Sequence, residues 1–141
     1  MKNVEPYLIF NGNCEQAFTF YQSVFGGKLM IMKYRDMPEQ EKQHVPAGDM
    51  DRVIHVLLRV NDATAIMGSD SPSNAPIHPG DNVFHTLNME DTEEAKTVYE
   101  KLSAGGKVTM PLGKTFFADQ YAMFSDKFGI HWMIMYSAGK Q

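Results

Sequence analysis

The spacing of apolar residues along the chain switches between two and three-to-four positions, and each switch marks an element. Residues 4–10 (VEPYLIF) alternate and are rich in strand formers, with Pro6 tolerable near a strand start or on an edge. Asn11-Gly12-Asn13 breaks that strand, and Asn13 is a good helix N-cap. From Cys14 to Phe25, the apolar residues at 17, 18, 20, 21, 24 and 25 share one helical face. Gly26-Gly27 supplies the left-handed backbone that ends such a helix. Residues 28–35 (KLMIMKYR) read as a strand, followed by a polar loop over 36–50. RVIHVLLRV (52–60) and ATAIMGS (63–69) read as a hairpin turning at Asn61-Asp62. The order is β-α-β-β-β.

After a proline-rich linker at 71–81, the order repeats. NVFHTLNM (82–89) is a strand, Glu90-Asp91-Thr92 a capping stretch, and TEEAKTVYEKLSA (92–104) a helix closed by Gly105-Gly106. KVTMPLG (107–113), FADQYAMFS (117–125) and IHWMIMY (130–136) are strands, the last two joined by a tight turn at 126–129. The two helices share four of seven positions between EQAFTFY (15–21) and EEAKTVY (93–99), at a constant offset of 78. The chain is therefore two copies of one supersecondary unit, about 4–70 and 82–137. This predicts an α+β fold with two tandem βαβββ units, whose curved mixed sheets surround a concave cleft suited to a small ligand.

Alternation assigns faces. Ile54, Val56, Leu58 and Val60 form an apolar face for the helix, while Val53, His55, Leu57 and Arg59 share the opposite, wetter one. On the last strand, Trp132 and Ile134 share one face and His131, Met133 and Met135 the other.

Composition narrows the function classes. At 43% hydrophobic and 21% charged residues, the chain resembles a soluble globular domain. A net charge of −4 without a basic cluster leaves nucleic acid and anionic lipid no foothold. No apolar run is long enough to span a bilayer, and MKNVEPYLIF lacks the features of a signal peptide. A single cysteine, Cys14, fits a reducing, cytoplasmic setting and reads as inert, although a helix start can favour thiolate.

The repeat, with PYLIF (6–10), EQAFTFYQSVFGG (15–27), VIHVLLRVND (53–62), IMGSD (66–70) and above all DKFGIHWMI (126–134), resembles the vicinal oxygen chelate superfamily, and within it the PhnB-like branch. That superfamily includes glyoxalases, extradiol dioxygenases and bleomycin-resistance proteins. The resemblance implies homodimers and, in the metal-dependent members, one divalent ion held by His and Glu side chains. Two coordination positions left open would let substrate oxygens chelate the ion. The expected ligand positions are largely vacated here. The first strand offers Glu5, Pro6 and Tyr7, and four residues after Gly129, where the carboxylate usually comes, stands Met133. Only His85 lies near an expected ligand position. The reading is no metal cofactor, with a divalent ion on a rearranged set left open, His55 and His85 being the fallback ligands.

The ligand-contact candidates are Tyr7, His55, Arg59, Phe117, Trp132 and Met133. His55 is either a core histidine or a polar ligand contact. Arg59 either binds an anionic group or pairs with an acid at the sheet edge. His85, between apolar neighbours, reads as core. Eight of the 11 methionines fall in predicted strands, where they suit adaptable pockets as well as ordinary cores.

Relatives in this branch sometimes carry a ubiquinone-methyltransferase label. The Gly-Gly pairs here follow helices rather than precede them, and the element order does not suit a doubly wound sheet. Three functions remain: a metal-free small-molecule binding protein, a metal-dependent lyase, isomerase or dioxygenase with rearranged ligands, and a dimeric interaction module whose own side chains fill the cleft. The first is the expectation.

Overall fold

The computed structural model describes residues 1–139. They form two compact units, Met1–His78 and a second beginning at Pro79, each with a four-stranded mixed sheet. The boundary falls inside the proline-rich linker.

In the first unit, β1 (Tyr7–Phe10), α1 (Cys14–Phe25), β2 (Lys28–Lys33), the short α2 (Glu39–Lys42), β3 (Val53–Arg59) and β4 (Ala65–Asp70) follow in order. The sheet order is β1-β4-β3-β2, with β1 parallel to β4 and the other pairs antiparallel. One helix can cover one face only. Cys14, Ala17, Phe18 and Tyr21 of α1 are buried against Leu8, Phe10, Val56, Leu58 and Ile66. Burying each large apolar side chain contributes roughly 1.5–3 kcal/mol. Phe18 lies edge-on to both Phe10 and Tyr21, at 6.1 and 5.4 Å between ring centroids. It can approach the sheet because position 68 is glycine: a Cβ there would stand 2.8 Å from the Phe18 ring and 2.5 Å from the Leu8 carbonyl oxygen.

The second unit repeats the order with β5 (His85–Asn88), α3 (Thr92–Ser103), β6 (Lys107–Gly113), β7 (Gln120–Ser125) and β8 (His131–Tyr136), sheet order β5-β8-β7-β6. Ala95, Val98 and Leu102 of α3 are buried on the side of Ala122, Phe124, Trp132 and Ile134. The second glycine of each Gly-Gly pair marks equivalent crowding. A Cβ on Gly27 would sit 2.3 Å from the Arg59 carbonyl oxygen, and one on Gly106 would sit 2.0 Å from that of Ser125.

Two local expectations are corrected. Asn13 makes no side-chain capping bond; the amides of Gly12 and Cys14 donate instead to Asp70 Oδ1, at 2.8 and 3.0 Å. A carboxylate 56 residues away in sequence thus caps α1. The second helix is capped locally, by Asp91 accepting from the Glu94 amide at 2.8 Å. Val53 is core, 1% exposed, rather than on the open face. Met32 pairs with His55 but Lys33 with Val53, so Ile54 is the extra residue of a β-bulge that reverses the phase at the start of β3.

Candidate functional site

Helix coverage of one face leaves the other face of each sheet open. In the first unit, register sets that face row by row. Tyr7 opposes Met67, which opposes Leu57, which opposes Met30. One row along, His55 opposes Met32. At the other end Arg59 opposes Lys28. Met30 and Met32 are 66% and 51% exposed, and Tyr7 and Ile9 are exposed as well. Within this apolar surface lies one polar pair, the Tyr7 hydroxyl 3.2 Å from His55 Nδ1, with the two rings 5.7 Å apart. Arg59 makes no ion pair among the described residues, so the sheet-edge acid does not materialise. Two like charges facing each other across strands repel, and an anionic group between them would relieve that repulsion.

In the second unit, the open face carries Thr86, Met133, Met123 and Met110 as successive opposed residues on β5, β8, β7 and β6. Met135 and Tyr121 oppose each other in the neighbouring row. The Met133 sulfur accepts from the Tyr121 hydroxyl at 3.4 Å and lies 3.9 Å from the Thr86 hydroxyl. Phe117, half-exposed, packs edge-on against Tyr121 at 4.9 Å. Phe117, Tyr121 and Met133 therefore form a connected chain of contacts. His131, on the same face, is engaged at Nε2 with the Gly80 carbonyl at 2.9 Å.

Two candidates lie on the helix-facing side. Trp132 is 1% exposed, and its indole N–H donates to Asp126 Oδ2 at 2.8 Å. Asp126 Oδ1 also accepts from the amides of Phe128 and Ile130. The DKFGIHWMI segment, the most specific part of the sequence resemblance, is thus a folding device: a buried carboxylate ties the turn to the core tryptophan. His85 stacks near Trp132, 5.4 Å between rings, and is half-buried. Burial, with the His131 charge adding, pulls its imidazole below the ordinary histidine value.

Other titratable groups are structural. The Cys14 thiol is fully buried, and burial together with Asp70 and Glu15 pushes it far above the usual thiol range. Asp49 is held below the usual carboxylate range by the Ser73 amide, with Arg52 adding. Arg52 in turn bonds Asn11 Oδ1 and the Ser71 carbonyl. A shallow depression of about 390 Å³ lies beside α3, lined by Glu93, Lys96, Tyr99 and Glu100 among others. Its mixed charges read as solvated helix surface.

The donors do not fit a hard divalent ion. Among the described residues, no three His, Cys, Asp or Glu side chains stand together as a ligand group. Where the sequence resemblance places a carboxylate, the thioether of Met133 is occupied by a hydroxyl, and thioethers suit soft ions. Each of the fallback pair already has another neighbour, His55 the Tyr7 hydroxyl and His85 the Trp132 ring. Sequence reasoning named Tyr7, His55, Arg59, Phe117 and Met133 but missed Lys28, Thr86, Tyr121 and Met123. Lys28 and Thr86 become visible only through strand register. Tyr121 and Met123 carried a usable signal, their two-residue spacing on a strand next to Met133 and Met135.

Comparison with known proteins agrees with this architecture. The family profile described as Glyoxalase/Bleomycin resistance protein/Dioxygenase superfamily matches residues 3–134. Protein YjdN of Escherichia coli (strain K12) is 30% identical over 138 residues, covering 93% of this chain and 92% of YjdN. The crystal structure of protein PA1353 from Pseudomonas aeruginosa superposes with a TM-score of 0.86 at 38% identity, covering 97% of this chain and 98% of that one. A Bacillus cereus structure described as a putative 3-demethylubiquinone-9 3-methyltransferase, PhnB protein, gives 0.76 at 26% identity over 96% and 100% of the two chains. No helix among the described residues is long and apolar enough to cross a membrane. The chain belongs to the glyoxalase/bleomycin resistance protein/dioxygenase superfamily.

Proposed function

We propose that this chain binds a small, largely apolar molecule on its open sheet faces, without a hard divalent ion. The observation that carries the reading is Met133: its sulfur, tied to the Tyr121 hydroxyl, occupies the place of the expected carboxylate. A carboxylate-to-thioether change removes charge and leaves a soft, adaptable contact surface. Tyr7 and His55 supply a polar point within the apolar face of the first unit. Arg59, with Lys28 opposite, favours a ligand bearing an anionic group. On the second unit, taken by itself, Phe117 offers an aromatic contact beside Tyr121.

Methyl transfer, the activity in the description of the Bacillus cereus neighbour, gains no support. Each sheet follows the order of a βαβββ unit, without the parallel strand–glycine loop–helix arrangement that holds the usual methyl donor. The same reading takes the two repeats as one cytoplasmic domain that pairs as a homodimer. The exposed apolar side chains Tyr7, Ile9, Met30 and Met32 would gain from such cover. Sedimentation at micromolar concentration tests the pairing.

The decisive experiment is elemental analysis of tag-free protein purified without chelator, with melting followed before and after EDTA. Near-stoichiometric zinc, nickel, iron or manganese, with a lowered melt in EDTA, would overturn the reading in favour of an enzyme with rearranged ligands. The expected result is no such metal, no EDTA effect, and saturable binding of the apolar anion 8-anilinonaphthalene-1-sulfonate that Arg59→Gln weakens.

A further inference from the structure

We propose that the open face of the second sheet binds a soft monovalent cation, Cu(I) or Ag(I), through the thioethers of Met110, Met123 and Met133. The three stand in one row across adjacent strands: Met110 opposes Met123, and Met123 opposes Met133. Met123 and Met133 are regularly paired, with Cβ atoms about 4.5–5.5 Å apart, and Met110 joins the row on the other side of Met123 at a point of β6 flanked by register shifts. Three rotatable bonds carry each sulfur, enough for the outer two to lean toward the middle. Met135 stands one row along on the same face.

The chemistry of the donors selects the ion. Thioethers are neutral and polarisable; they bind Cu(I) and Ag(I) and leave oxygen-seeking cations in water. No carboxylate stands in the row to recruit a harder ion: its β5 end is Thr86. The Met133 sulfur is already oriented by Tyr121 at 3.4 Å, while the longer Thr86 contact at 3.9 Å is the one a cation would replace. The usual competitor for soft ions is a thiol, and Cys14, in the other unit, is fully buried. Binding moves no electrons, since the ion enters and leaves monovalent.

The first unit provides an internal control. Its open face is also rich in methionine, but Met30 and Met67 each oppose Leu57 rather than one another. Abundant exposed methionine without direct opposition should not bind.

Met133 is common to this site and to the proposed ligand reading, yet the two fail separately: silver binding reads the Met110–Met123–Met133 row, whereas Arg59→Gln reads the ligand. The test is titration of the protein, carrying 13C-methyl-labelled methionine, with silver nitrate in chloride-free buffer, with assignments from single Met→Leu variants. The methyl signals of Met110, Met123 and Met133 should shift together and saturate at one ion per chain, with Met30, Met32 and Met67 unmoved. Met123→Leu, close in volume, should weaken binding about tenfold or more. Met110→Leu, on an exposed strand, should do so with no loss of melting temperature. Parallel shifts at every exposed methionine, or undiminished binding in Met123→Leu, would overturn the proposal.

Discussion

Asp70 is the residue on which the first unit most visibly depends. It is 2% exposed, and its two carboxylate oxygens accept three backbone N–H groups from two separate segments, the junction of β1 with α1 and the start of β3. Oδ1 takes Gly12 and Cys14 at 2.8 and 3.0 Å; Oδ2 takes Val53 at 3.0 Å. Removing the acceptor leaves these donors buried and unpaired, at about 1–3 kcal/mol each. The Gly12 bond is only part-buried and can be taken over by water, so Cys14 and Val53 carry most of the cost. Asp70→Ala should therefore destabilise by about 2–6 kcal/mol, a large share of the 5–15 kcal/mol typical of a whole domain. Asp70→Asn keeps one oxygen for Gly12 and Cys14 but turns an amide N–H₂ toward the Val53 N–H. Its expected cost is that of one lost buried bond, about 1–3 kcal/mol. In urea, at a slope of about 2 kcal/mol/M, the Asn variant should lower the unfolding midpoint by roughly 0.5–1.5 M without changing the slope. If Asp70→Asn costs as much as Asp70→Ala, the carboxylate acts through its charge rather than as an acceptor. If both lie within about 0.5 kcal/mol of the parent, Asp70 does not organise this junction at all.

Two further predictions rest on other contacts. Gly68→Ala places a Cβ 2.5 Å from the Leu8 carbonyl and 2.8 Å from the Phe18 ring, and since backbone cannot yield cheaply, it should cost about 1–3 kcal/mol by thermal melting. A neutral cost there would mean that α1 packs more loosely than its aromatic contacts require. The His85 imidazole has its folded value below its unfolded one, because burial and His131 disfavour the charged form. The unfolded chain therefore binds more protons as pH falls, and stability is lost from the ordinary histidine value, about 6.5, downward. His85→Gln should flatten that slope in melting curves between about pH 7.5 and 5.5; an unchanged slope would place the proton uptake elsewhere.

The sequence was sufficient for what depends on local spacing. Alternation and helical periodicity in EQAFTFY and EEAKTVY located both helices and their buried faces, because a helix or strand repeats its own geometry regardless of what covers it. The repeat itself predicted two mixed four-stranded sheets, and His55, Leu57 and Arg59 fell on one face of the first as expected, without Val53.

What the tertiary structure alone decided involves residues far apart in the chain. Asn13 has the chemistry of an N-cap, yet Asp70, 56 residues beyond Cys14, does the capping. A one-residue bulge at Ile54 sends Val53 into the core, since strand phase is set by the partner as well as by the strand. Trp132 proved to be held inside by Asp126, and the Met110–Met123–Met133 row exists only because of the register of β6, β7 and β8. Periodicity fixes which side of a strand a residue occupies; only the neighbouring strand determines what it meets there.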